Sequence, residues 1–203
     1  MSKKELSREL QSLYFPSPRA PVIVDVPAMT YFMVNGKGNP NRGREFPNAI
    51  TALYGIGYTL KFSLKEEGRP FIIMPLEALW WTAGSSSFDS KRKSGWAWTA
   101  MLASPEKVRS SDFEKAVRQA SAKKPDVHYN AVRMETWKEG RSAQILHIGP
   151  YAAEQPTIER LHAFLRAEGF RPRGKHHEIY LGDPRRSAPE RLRTVVRQPV
   201  ERA

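Results

Sequence analysis

Cysteine is missing altogether from this chain of 203 residues. Disulfides, thiolate metal ligands and a cysteine nucleophile are therefore excluded, and the absence fits a reducing compartment. Long hydrophobic runs are missing too. No stretch reaches about 18 uninterrupted apolar residues, so no membrane span and no membrane partner are expected. The opening residues Met1-Ser2-Lys3-Lys4-Glu5-Leu6-Ser7 lack the apolar segment of a secretory signal. The expected location is the cytoplasm. Acidic residues are comparatively few: 21 Asp and Glu stand against 33 Lys and Arg, a net charge of +12. A surplus of that size suggests nucleic acid when it is gathered into one stripe. Here it is scattered in short groups such as Lys91-Arg92-Lys93, Lys123-Lys124 and Arg185-Arg186. Zinc-finger spacing, an RNP-like aromatic motif and a convincing helix-turn-helix are all lacking. The charge reads as solvated surface, and no nucleic-acid partner is expected.

What is present suits one large domain, or one domain built of two similar halves. Residues 1–20 are polar and broken by Pro16 and Pro18, which predicts a short helix followed by an arm. Val22-Ile23-Val24-Asp25-Val26 reads as an edge strand ended by Pro27. Thr30-Tyr31-Phe32-Met33-Val34 reads as a second strand, stopped by the turn Asn35-Gly36-Lys37-Gly38. Behind Pro47, the residues Ile50, Leu53, Tyr54, Ile56, Leu60 and Leu64 recur at helical spacing. Gly55 and Gly57 interrupt that helix and imply close packing on a sheet. Two strands follow, Phe71 to Trp81 and Trp96 to Ala103, the latter ended by Pro105. Between them Gly84-Ser85-Ser86-Ser87 and the basic run 91–93 make a flexible hairpin loop.

Thus residues 28–105 read strand, helix, strand, strand. A helix over about 111–123 comes next, and Ala131–Trp137 and Ser142–Ile148 flank Lys138-Glu139-Gly140-Arg141, a hairpin signature. Gly149-Pro150 ends the strand, and Pro156 opens a helix carrying Ile158, Leu161, Phe164 and Leu165, capped by Gly169. Strands at 178–181 and 192–197 complete a second strand–helix–strand–strand unit over 143–200. The fold class is therefore α+β: two pseudo-symmetric modules forming antiparallel sheet around a central ligand cleft.

Each middle strand holds a lone carboxylate in an apolar or aromatic run, Glu77 in the first copy and Glu178 in the second. Alternation along a strand puts Glu77 with Leu79 and Trp81, opposite Leu76, Ala78 and Trp80. It puts His176, Glu178 and Tyr180 together, opposite the core-facing Ile179 and Leu181. Pseudo-symmetry is expected to bring both carboxylates to one cleft. Five tryptophans crowd the chain, and Trp81, Trp96 and Trp98 share one hairpin; so many indoles are exposed only where something binds. His176 and His177 are neighbours pointing to opposite faces, so they cannot chelate one ion, and no metal is expected. Glu154 is read as a cap for the helix at Pro156, His147 as a hydrogen-bonded core residue, and His162 as boundary surface.

The runs Ala143-Gln144-Ile145-Leu146-His147-Ile148-Gly149-Pro150-Tyr151, Glu154-Gln155-Pro156-Thr157-Ile158, His176-His177-Glu178-Ile179-Tyr180-Leu181-Gly182-Asp183-Pro184 and Arg193-Thr194-Val195-Val196-Arg197-Gln198-Pro199-Val200 closely resemble the GyrI-like small-molecule-binding family, in its stand-alone form. The first module matches more loosely, through Tyr31-Phe32-Met33-Val34-Asn35-Gly36-Lys37-Gly38 and the Trp80-Trp81 strand. The resemblance implies an N-terminal arm at 1–20 and a GyrI-like domain at 21–203, with module one at 28–105, a connecting helix and strand at 106–142, and module two at 143–200. It implies an aromatic pocket with an acidic residue for a flat, lipophilic and often cationic molecule, without a cofactor. Some stand-alone members hydrolyse cyclopropanoid, DNA-alkylating cyclopropyl-dienone compounds and so protect the cell.

By this resemblance Glu178, Tyr180 and Tyr151 are the candidate catalytic residues. Glu178 would orient or deprotonate water, and Tyr180 or Tyr151 would hydrogen-bond the developing phenolate. Glu77, Trp81, Trp96, Trp98, His176 and Tyr31 are the candidate ligand-binding residues. The other reading is a non-catalytic module that sequesters or senses cationic lipophilic compounds, with the same carboxylate neutralising the ligand. One carboxylate in an aromatic cleft serves either, and the hydrolase is preferred on the resemblance.

Overall fold

The computed structural model describes residues 6–82, 84, 95–104 and 107–203. The first five residues, the loop expected at 85–87 and 91–93, and the strand stop at Pro105 lie outside the described residues. In chain order the elements are α1 (Arg8–Tyr14), β1 (Val22–Lys37), α2 (Glu45–Glu66), β2 (Leu76–Thr82), β3 (Trp96–Ser104), α3 (Ser110–Lys123), β4 (Arg133–Ile148), α4 (Gln155–Ala167), β5 (Phe170–Pro172), β6 (His176–Tyr180) and β7 (Arg193–Arg202). All strand pairs are antiparallel, in the order β4-β1-β3-β2-β6-β7, and β4 pairs back to β7 so that the sheet closes. The short β5 adds to the far end of β7. Exchanging β1 with β4, β2 with β6 and β3 with β7 returns the same ring. The repeat expected from the sequence is thus the symmetry of the barrel, and closure leaves few open sheet edges to protect.

The helices form where their apolar stripes demand. Ala49, Ala52, Leu53, Ile56, Leu60 and Leu64 bury one face of α2. A methyl at Gly57 would sit 3.2 Å from Ile73, and one at Gly55 would sit 2.6 Å from the Tyr129 ring, so both glycines serve close approach. In α4 the buried stripe is Ile158, Leu161 and Leu165, and Gly169 ends the helix at φ +70°. Ser7 accepts the backbone N–H of Leu10 and caps α1. Among the described residues no helix is long and apolar enough to cross a membrane.

Of the strand boundaries that differ from expectation, β6 at His176–Tyr180 and β7 at Arg193–Arg202 among them, three shape the fold. β1 is one strand from Val22 to Lys37, not two. Pro27 lies where β1 has β4 on one side and no β3 partner on the other, a position that tolerates the missing N–H. β4 is likewise continuous from Arg133 to Ile148, and Gly140 at φ +75° bends the strand instead of reversing the chain. β2 begins only at Leu76, directly after Pro75, so the buried Phe71 and Met74 precede the strand.

α2 lies over β1 and β3, whereas α4 lies over β4, β5 and β7. The outer faces of β2 and β6 run between these helices. One core fills the space under α2 and α3 around Phe32, Leu53, Trp98 and Leu102, and another lies under α4 around Ile145, Leu161 and Val196. A third lines the barrel interior, with Tyr31, Met101, Leu146, Ile179 and Val195, and Leu13 and Tyr14 of α1 pack into it.

Candidate functional site

The register of β2 against β6 decides which side chains meet. Ala78 stands opposite Glu178, and Glu77 stands opposite Ile179. Directly opposed residues of an antiparallel pair point to the same face. Glu178 therefore shares the outer face with Ala78, Trp80, His176 and Tyr180, while Glu77 shares the interior with Leu79, His177 and Ile179. The expectation that Glu77 and Glu178 meet in one cleft is corrected: they lie back to back on opposite faces. A two-fold axis normal to an antiparallel sheet relates residues by an even register offset. Odd-numbered Glu77 thus corresponds to odd-numbered residues of β6.

On the outer face Glu178 is held by a donor at each oxygen. The Tyr180 hydroxyl donates to Oε2 at 2.7 Å, and His176 Nε2 lies 3.2 Å from Oε1. Trp80 donates its indole N–H to the Tyr180 hydroxyl at 3.0 Å. The Glu178 side chain is 12% exposed and that of His176 only 1%. Tyr151 meets Tyr180 edge-on at 5.6 Å and is itself 39% exposed. Burial, with Glu154 and Glu178 nearby, pushes the Tyr151 phenol up to about 12. Burial and then Glu178 push the Tyr180 phenol well above its ordinary value. Both phenols therefore remain protonated donors at neutral pH. Trp80 packs on Trp96 at 5.3 Å and on Phe46 at 5.2 Å, and Phe46 in turn meets Trp98 edge-on at 4.9 Å. The outer face thus joins a carboxylate, a histidine, two tyrosines and an aromatic wall.

Glu154, read from sequence as a helix cap, occupies the N-cap position of α4 without making a side-chain capping bond. It is 5% exposed, and its charge acts on both Tyr151 and Tyr180. His162 of α4 is half-buried, a boundary position as read from the sequence, and its pKa is lowered by burial and then by His176. His147 matches its reading, with Nδ1 at 2.9 Å from Thr157 Oγ1.

The other expected ligand residues separate. Tyr31 and Glu77 are fully buried in the interior. Trp81 shares that inner face, and the Lys175 ammonium sits 3.5 Å from its ring centroid. Trp98 is on the outer face but 1% exposed, lying under Phe46 and against Gly36, where a Cβ would come within 2.2 Å of its ring. Trp98 is therefore a wall support and makes no surface of its own.

Inside the barrel a second polar cluster spans five elements. Tyr14 donates to Glu77 Oε1 at 2.5 Å, and His177 Nε2 lies 3.0 Å from Glu77 Oε2. His177 Nδ1 lies 2.9 Å from Glu139 Oε1, and Arg197 donates to Glu139 Oε2 at 3.1 Å. Arg197 also donates to Gln144 and to the Leu13 carbonyl. With a carboxylate on each ring nitrogen, both nitrogens donate and His177 is an imidazolium. Burial disfavours its charge, but Glu139 and Glu77 outweigh burial and raise its pKa; in return His177 and Arg197 hold Glu139 low against the same burial. Two cations and two carboxylates balance, which makes the buried set tolerable.

Sequence reasoning passed over most of this cluster. Glu139 was hidden in a run that resembles a turn. Arg197, a lone charge in Val195-Val196-Arg197, carried the same signal that singled out Glu77. Among the described residues no group of three or more His, Asp and Glu is arranged to hold a metal ion. Depressions of about 360 and 510 Å³ lie elsewhere, along α2 and α3, and neither contains the Glu178 cluster.

A family model, GyrI-like small molecule binding domain, matches residues 19–201, so α1 lies outside the matched region. No curated protein matches the chain. Among solved structures, an uncharacterized conserved protein from Listeria innocua is 38% identical, with 96% of this chain and 98% of that chain covered and a TM-score of 0.88. A structure described as a hydrolase from Listeria innocua is 37% identical, covering 96% of this chain and 97% of that one with a TM-score of 0.85. Another, also described as a Listeria innocua hydrolase, is 35% identical, covering 96% and 98% with a TM-score of 0.82. From the match over residues 19–201, the closed two-module barrel and these relatives, the chain belongs to the GyrI-like small-molecule-binding family.

Proposed function

We propose that the chain is a hydrolase of planar, lipophilic electrophiles, with cyclopropyl-dienone compounds as its substrate class. The observation that carries this reading is Glu178, a carboxylate with one edge open to an aromatic strip and a fixed donor at each oxygen. Relatives at 35% and 37% identity described as hydrolases support the enzymatic half of the reading. The substrate class rests on the resemblance of the second module.

In the proposed step, water attacks the cyclopropane methylene while Glu178 takes its proton. A carbon–oxygen bond forms, a ring carbon–carbon bond breaks, and the electron pair passes through the dienone to its oxygen. That oxygen becomes a phenolate and takes up, through solvent, the proton that Glu178 releases. Tyr180 cannot donate a hydrogen bond to this phenolate while its hydrogen points at Glu178. Tyr151, partly exposed and kept protonated with its phenol held near 12, donates the hydrogen bond to the phenolate in this scheme. Tyr151 and the partly buried Phe46 offer the stacking surface, backed by the buried Trp80 and Trp96. Positioning contributes much of the rate, because the reactant is already strained.

Incubating the protein with a cyclopropyl-dienone compound and weighing the product tests the reading; a gain of one water is expected. Glu178→Gln is expected to slow turnover on the order of 100-fold, the usual range for losing a general base, with binding of a neutral substrate unchanged. No water gained by the wild type, or full activity in a folded Glu178→Gln protein, would overturn it.

A further inference from the structure

We propose that Trp80 is a positioning residue for this site, whose indole N–H fixes the direction of the Tyr180 hydroxyl and so keeps its hydrogen pointed at Glu178. The inference rests on the reading of Glu178 as the base.

An indole nitrogen has one hydrogen and no acceptor capacity. At 3.0 Å from Trp80 Nε1, the Tyr180 oxygen can only accept. Its single hydrogen is then directed to Glu178 Oε2 at 2.7 Å, since an ionised carboxylate only accepts. Without the indole the hydroxyl would be free to rotate. It would spend part of its time as an acceptor at Glu178, where it repels the charge, or as a stray donor to the substrate. Trp80 is suited to the task because it does not move. It is 3% exposed, wedged between Phe46 and Trp96, and it stands opposite His176 in the β2–β6 register. The chain Trp80, Tyr180, Glu178 therefore crosses from one module to the other and ends on the reacting group. The second donor, His176 at Oε1, comes from β6 alone. This arrangement also divides the two phenols: Tyr180 orients and Tyr151 donates.

The titratable groups around Glu178 are His176 and Tyr180 on β6, Tyr151 and Glu154 before α4, and His162 of α4 behind His176. A donor to a carboxylate stabilises its charged form, so losing one makes the carboxyl hold its proton to higher pH. In Trp80→Phe, kcat is expected to fall by up to about tenfold with KM little changed, the upper size of one neutral hydrogen bond. The acid limb of the pH profile should rise by up to about one unit, the equivalent of that tenfold change. Tyr180→Phe should move the limb in the same direction. Adding Trp80→Phe to it should move the limb no further, because the indole then has nothing to orient. A merely structural Trp80 would lower stability and leave the limb in place.

A carbon-13 titration of the Glu178 carboxyl measures the same displacement without substrate. Absence of hydrolysis in the wild type therefore sinks the enzyme reading separately from the positioning role. The role is overturned if Trp80→Phe leaves that titration unmoved, or moves it equally in the Tyr180→Phe background. Should Trp80→Phe not fold, the Trp80 indole proton decides. Its resonance must shift and its exchange must quicken in Tyr180→Phe, and an unchanged indole signal overturns the proposal.

Discussion

Removing one charge from the interior cluster gives the sharpest test of how the barrel is held. Glu139 is bonded by His177 at 2.9 Å and by Arg197 at 3.1 Å, and all three side chains have no solvent exposure. Glu139→Gln keeps the shape and one acceptor for His177 but leaves two buried cations facing the single carboxylate of Glu77. Breaking a buried pair in this way typically costs about 3–5 kcal/mol. For a chain of this size each kcal/mol lowers the melting temperature by roughly 2–4 °C, so a drop of roughly 6–20 °C is expected. Arg197→Met in the same background removes the surplus cation and substitutes an apolar side chain of similar length. It also strands Gln144 and the Leu13 carbonyl, which Arg197 now bonds, so some loss remains. The double variant is nonetheless expected to be more stable than the sum of the single losses predicts, by about 1–3 kcal/mol. Urea unfolding followed by tryptophan fluorescence measures each corner of the cycle. Additive losses, within about 0.5 kcal/mol, would mean that the two charges do not depend on each other, and the account of the cluster as a balanced set would be wrong.

Two further outcomes follow from the same cluster. Tyr14→Phe removes the hydroxyl that α1 donates to Glu77. It should cost about 1.5–3 kcal/mol, the range for a bond to a charged acceptor, and amide exchange over residues 8–14 should quicken; unchanged exchange would show that Leu6 and Leu13 alone seat the helix. The pH dependence of stability has two windows with opposite signs. The raised pKa of His177 contributes fully below about 6.5 and is lost as pH rises through its folded value. The lowered pKa of Glu139 contributes above about 4.3 and is lost as pH falls through its folded value. His177→Gln should flatten the alkaline loss, and an unaltered alkaline limb would contradict the imidazolium assignment.

Much of the architecture was legible because alternation and helical periodicity are local properties. The faces assigned to Leu76, Ala78 and Trp80, and to His176, Glu178 and Tyr180, hold in the structure. Their joint orientation was not legible. Whether Glu77 meets Glu178 depends on the β2–β6 register, a long-range quantity that neither strand encodes alone. Pro27 and Gly140 misled for a related reason. Each signals a chain break in isolation, yet each sits inside a strand whose partner lies over a hundred residues away. There Val26 and Met29 both face the interior, so the strand changes phase without ending. Glu154 was taken for a cap because its position is that of a cap. Only packing shows the side chain buried beside Tyr151 and Tyr180.

The five residues of β6 carry two separate chemistries in alternate positions. His176, Glu178 and Tyr180 serve the outer face, while His177 is clasped inside between Glu77 and Glu139. For anyone redesigning the protein, the strand reads like two interleaved texts. Even-numbered positions can be rewritten to change what is bound or transformed, so long as the odd-numbered ones keep the barrel closed. Losing or gaining one residue in β6 would exchange the two texts at once, aiming the Glu178 carboxylate at the interior and the His177 imidazolium at the ligand. Variation in this family member should therefore come by substitution along β6, with changes of length confined to the turns on either side.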